Sequence, residues 1–83
     1  MEKEISKKNI ILHILKVLCR FSSQKASVPQ TALAKYLNDL GIPCDRKTVG
    51  RNIKYLQDFG VEVKKDEKGY FVDREQVYKI FFN

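Results

Sequence analysis

Tryptophan is missing from these 83 residues, histidine and methionine occur once each, and there are only two cysteines, two prolines and four glycines. Each scarcity closes a route. Two thiols, Cys19 and Cys44, and one imidazole, His13, are too few for a four-ligand structural zinc, and no C-x-x-C or Cys-His spacing joins them. Catalysis is equally short of parts. There is no G-x-S-x-G, no carboxylate pair at a defined spacing and no glycine-rich phosphate loop, so the chain reads as no enzyme, with no catalytic residue, metal or cofactor expected. The most apolar stretch, Asn9 to Phe21, is interrupted by His13, Lys16 and Arg20 and is too short to span a bilayer. No secretory leader pattern opens the chain, so the expected setting is cytoplasmic, with both thiols reduced.

What remains is an ordinary globular composition, 43% hydrophobic and 31% charged. A chain of this length supports one domain, residues 1–83, with a modest core. Sixteen basic against ten acidic side chains leave a formal charge of +6, which favours an anionic partner such as nucleic acid or an acidic protein surface.

Periodicity predicts three helices, a hairpin and a fourth helix. In the first, over about 6–21, Ile11, Ile14, Leu15 and Leu18 share a face that Ile10, Leu12 and Val17 widen, with Asn9, His13, Lys16 and Arg20 opposite. Cys19 reads as a small buried hydrophobe of the same stripe. Ser22 to Ser27 reads as a loop. The second helix, about 29–40, opens on Val28-Pro29, repeats Leu33, Ala34, Leu37 and Leu40, and stops at Gly41, with Pro43 blocking continuation. Asp45 caps the third, about 46–59, which turns Val49, Ile53, Leu56 and Phe59 inward. Alternation from Val61 and the turn Asp66-Glu67-Lys68-Gly69 predict a hairpin over about 61–72. Asp73 then caps a C-terminal helix, about 74–82, packing through Val77 and Ile80 or Phe81. The fold class is mostly α with a small β-hairpin (α+β): a winged helix-turn-helix with a three-helix core, a wing and a short C-terminal helix.

In that arrangement the third helix presents its polar face to a major groove about 12 Å wide. Arg46, Lys47 and Thr48 occupy the first turn, where free amides and the positive dipole end favour phosphate. Arg51 suits bidentate pairing with guanine and Asn52 with adenine. Lys54 and Tyr55 suit backbone phosphate, which positions without reading sequence. Lys64, Lys65 and Lys68 are candidate wing contacts, opposed by Asp66 and Glu67. Residues 45–60 carry four basic and two acidic side chains, and residues 61–83 carry five of each, so the wing is the weaker element.

Four stretches, ILHILKVL, TALAKYLNDLGI, DRKTVGRNIKYLQDFGVEV and KGYFV, give residues Ile11 to Val72 a resemblance to a known family. This part of the chain resembles the N-terminal winged helix-turn-helix of bacterial WYL-domain transcriptional regulators and their DeoR-like relatives. Asp45, Arg46, Lys47, Thr48, Val49, Arg51, Ile53, Leu56 and Gly60 fit the family's third-helix pattern, and Gly69-Tyr70-Phe71 its wing end. The resemblance implies that Thr48 and Arg51 meet DNA. Gly50 departs from it, standing where the family usually has a large aromatic, and Asn52 stands where aspartate is usual.

Two functions follow as expectations. The first is sequence-specific binding of double-stranded DNA by a small transcriptional regulator or regulator domain, with a possible homodimer through Tyr78, Phe81 and Phe82. The alternative is a small protein of phage or mobile-element type that uses the same scaffold to bind and inhibit another protein.

Overall fold

A computed structural model of the protein describes residues 9–82. Among them the chain forms α1 (Ile10–Phe21), α2 (Gln30–Asp39), α3 (Arg46–Phe59), β1 (Lys64–Lys65), β2 (Tyr70–Phe71) and α4 (Arg74–Phe82). It is mostly helical, with one two-stranded antiparallel sheet. The expected start of the first helix, at about residue 6, lies outside the described residues. None of the described helices is long and apolar enough to cross a membrane.

The core lies where α1, α2 and α3 meet. Ile14 and Leu18 of α1, Leu33 and Leu37 of α2 and Val49, Ile53 and Leu56 of α3 are buried together, and Val61, Val63, Val72 and Val77 close the cluster from the C-terminal side. The buried stripe of α1 runs through Ile10, Ile14, Val17 and Leu18, and Ile11 and Leu15 are only partly covered. Leu12, expected to widen that stripe, is 62% exposed. At about 100° per residue it falls roughly 160° from Ile14, on the far side of the helix. Phe59 corrects a second expectation: placed inward by spacing, it is 64% exposed. It lies roughly 90° from the mean direction of Val49, Ile53 and Leu56, at the edge of the stripe. Leu40 is also exposed, because α2 has already ended at Asp39.

Two glycines end their helices by the same device. Gly41 (φ 88°) and Gly60 (φ 125°) take left-handed-side conformations that side chains resist. The next amides, of Ile42 and Val61, then reach back to the carbonyls of Leu37 (2.9 Å) and Leu56 (3.0 Å). Both following side chains are buried, so each turn also adds to the core.

This use of Val61 shortens the hairpin. Its amide serves the end of α3, and the Val63 amide is bonded to the Val61 carbonyl at 3.0 Å, which leaves neither for a ladder. Only Lys64 pairs with Phe71 and Lys65 with Tyr70, in place of the expected span from 61 to 72. The hairpin gains a neighbour on its other side. Val28, read as the opening of a helix, instead bonds Tyr70 in both directions at 2.8 Å, as an isolated bridge. Pro29, which has no amide hydrogen, stops that pairing and stands as the N-cap of α2. The backbones approach most closely at Gly69, where an added Cβ would run into the Val28 carbonyl and the Pro29 nitrogen.

Ser22 joins α1 to the end of β2. Its buried hydroxyl donates to the Leu18 carbonyl at 2.6 Å and accepts from the Val72 amide at 3.1 Å, fifty residues along the chain. Alanine there removes the acceptor and leaves a buried amide unpaired, so Ser22→Ala is expected to cost about 1–3 kcal/mol. Urea unfolding would register this as a lower midpoint. An unchanged midpoint would mean that the Val72 amide finds another acceptor. At the same open end of the hairpin, Gln76 anchors α4, accepting from the Glu62 amide (3.0 Å) and donating to the Gly60 carbonyl (3.2 Å).

Candidate nucleic-acid interface

α3 begins where its cap dictates. The Asp45 carboxylate accepts from the Thr48 amide at 2.8 Å, and the Thr48 amide and hydroxyl together hold that carboxyl below its usual range. From this fixed start, at about 100° per residue, Lys47, Arg51 and Lys54 form one ridge opposite Val49 and Ile53. All three are exposed. Asp58 ends the ridge. Arg46, also exposed, lies on the flank facing α2, and Thr48, Asn52 and Tyr55 lie on the other flank.

The basic side chains of this surface are uncommitted. Among the described residues the one ion pair is Lys35 with Asp39, both on α2, so Arg46, Lys47, Arg51 and Lys54 pair with no carboxylate. Asn52 differs from them: it is half-buried and donates to the Thr48 carbonyl at 2.8 Å, lying along the helix. Thr48 is half-buried as well, whereas Tyr55 is half exposed.

Two α2 side chains that periodicity does not single out hold α3 in place. Asn38 donates to the Cys44 carbonyl at 2.7 Å and accepts from the Cys44 amide at 3.4 Å, which fixes the connection just before the Asp45 cap. Gln30 donates to the Arg46 carbonyl at 3.2 Å. Its amide lies over Gly50, where an added Cβ would stand 2.8 Å from Gln30 Nε2. A side chain at Gly50 has no free space, since Gln30 fills it. The one sequence signal for this pair is position: Asn38 and Gln30 each stand within a turn of an end of α2, next to a short connection.

Beside α3, a cleft of about 220 Å³ is lined by Arg46, Lys65 and Lys68 together with Asp66, Glu67 and Tyr70, so its walls carry both signs of charge. Lys65 Nζ stands 5.6 Å from the centre of the Tyr70 ring, a cation–π contact that steers the amine. Lys64 does not join them. Successive strand residues point to opposite faces, and Lys64 lines a different depression with Glu62, Phe71 and Arg74. The three hairpin lysines are thus divided: two accompany α3 and one faces away. Asp66 spends its carboxylate on the turn. The neighbouring Ser27 hydroxyl, which forms no bond of good geometry, favours its charged form, and so do the Lys68 and Gly69 amides bonded to it at 2.8 and 3.0 Å.

No family model matches this sequence, and no curated protein or solved structure matches it either.

Of the remaining reactive groups, Cys44 directly precedes the Asp45 cap, and Cys19 and His13 lie on α1. Cys19 and Cys44 are free and half-buried, and burial raises both thiols above their ordinary range, which keeps them protonated and weakly nucleophilic. His13, expected on a solvated face, is half-buried, with Nδ1 shielded and without a hydrogen-bond partner. Among the described residues, no three His, Cys, Asp or Glu side chains gather as a metal site.

Proposed function

We propose that this protein binds double-stranded DNA as a winged helix-turn-helix module of a cytoplasmic transcriptional regulator, with α3 entering the major groove and the hairpin serving as the wing. The observation that carries the reading is the cationic ridge of Lys47, Arg51 and Lys54, unpaired among the described residues, on a helix whose start is held by Asp45, Asn38 and Gln30. Arg51, one turn into the helix, is the candidate base reader, and Lys47 and Lys54 the phosphate contacts. Arg46, Lys65 and Lys68 extend the basic surface across the cleft. Asn52, tied to Thr48, supports the interface more through helix geometry than as a free adenine reader.

Neutralising phosphates releases counterions, so four to six such contacts give a log-log salt slope of about −4 to −5. Lys47→Ala is expected to weaken binding to all duplexes alike and to flatten that slope by about 1. Fluorescence anisotropy on short duplexes across a salt series measures both. A second reading, a scaffold that inhibits another protein, draws on the low surface at Gly50, where Gln30 replaces any projecting side chain. The same series separates the two, because an inhibitor of that kind shows no salt-graded affinity for duplex DNA.

A further inference from the structure

The proposed DNA contact leaves unused a large exposed apolar surface at the other end of α3. α4 turns Val77 and Ile80 toward the body, while Tyr78 and Phe82 stand outward, 64% and 72% exposed, with ring centroids 4.8 Å apart. On the flank of α4, Phe81 stacks on Phe59 of α3 at 5.6 Å. Because residues three and four apart are neighbours on a helix, these four rings form one continuous patch. Together they expose on the order of 500 Å², the upper end of what a monomer leaves open, where such patches mark contact sites. With its charged rim the patch approaches the ~800 Å² that each member of a stable dimer contributes.

The charges on that rim select the occupant. Glu75 stands in the first turn of α4 and Lys79 in the last, both beside Tyr78 on the outer ridge. Four residues apart, they nevertheless form no ion pair; among the described residues only Lys35 and Asp39 do. An acid at one end and a base at the other make the ridge complementary to itself when reversed. A two-fold axis near Tyr78 lays Glu75 of each copy beside Lys79 of the other, twice, with the aromatic rings between them.

We propose that a second copy of this chain docks on this face, α4 against α4 in antiparallel fashion, burying Tyr78, Phe82, Phe81 and Phe59. The contact leaves the cationic ridge free, since Lys47 and Arg51 lie roughly 12 to 18 Å back along α3 from Phe59, and Lys54, about 7.5 Å back, lies roughly 140° around the helix from it. Sedimentation equilibrium of the full chain, without nucleic acid and from low to high micromolar concentration, tests this independently of any reading of α3.

The expected result is a reversible dimer whose dissociation constant rises at least about tenfold in the double variant Tyr78→Ser, Phe82→Ser, with the helical circular dichroism unchanged. Glu75→Lys and Lys79→Glu should each weaken the dimer, and together restore it. A chain that stays monomeric throughout overturns the proposal and assigns the patch to a different protein. A dimer that survives the double variant also overturns it, and charge reversals that fail to rescue each other overturn the antiparallel arrangement.

Discussion

Gly69→Ala is expected to cost about 3 kcal/mol, from a single added methyl group. In a domain of this size that lowers the melting temperature by roughly 12–24 °C. The cause is space and not backbone conformation, because the positive-φ glycines are Gly41 and Gly60 alone among the described residues. The atoms a new Cβ would strike belong to the Val28 and Pro29 backbone. They cannot retreat without surrendering both Val28–Tyr70 hydrogen bonds, which hold the hairpin against the segment ahead of α2. Gly50→Ala is the contrasting case: its Cβ meets only the movable end of Gln30, so losing the Gln30–Arg46 hydrogen bond offsets the about 1 kcal/mol of helix propensity gained, and the net change is small. Thermal melts of the two variants should therefore diverge widely. A Gly69→Ala protein that melts with wild type would mean that the hairpin and the Val28 segment part without penalty.

Arg51→Ala is the corresponding experiment on function. A bidentate guanidinium contact to one base is worth about 1–3 kcal/mol, so affinity for the preferred duplex should fall roughly 5- to 150-fold. Preference at one base position should relax while the rest of the site is still read. The contrast with Lys47→Ala makes the result diagnostic, because an ammonium that grips only phosphate supports every sequence equally, and its removal weakens them all. Selection from a random duplex library, run on wild type and both variants, measures affinity and preference together. If Arg51→Ala recovers the wild-type motif with wild-type affinity, α3 does not read bases through this residue.

The helices are the most legible part of the chain, because their signals are local. The bounds of α3 follow from the Asp45 cap, the Val49, Ile53 and Leu56 period and the Gly60 stop, all within sixteen residues. Long-range partners are not legible. Nothing near Ser22 announces Val72, and nothing near Val28 announces Tyr70, because a bridge between distant segments has no period of its own. Alternation overextends the hairpin for a related reason. It records which side chains are buried, and Val61 and Val63 are buried, but their amides are already engaged. Spacing misplaces Phe59 because it sets a residue at the edge of a stripe without showing whether a neighbour covers it. For the candidate interface, residue types and their helix can be read from sequence. The Asn52–Thr48 bond and the splitting of Lys64 from Lys65 and Lys68 emerge only in three dimensions.

Among the described residues, the side chains whose hydrogen bonds bridge separate parts of this molecule are Ser22, Gln30, Asn38, Gln57 and Gln76, and none of them ionises in water. The joints between elements are therefore made by dipoles, while the charged carboxylates of Asp45 and Asp66 serve local caps and turns. Added electrolyte or a moderate change of acidity finds little in these joints to loosen. An ionic-strength dependence seen with this protein thus reports what its surface is gripping, and not a scaffold coming apart.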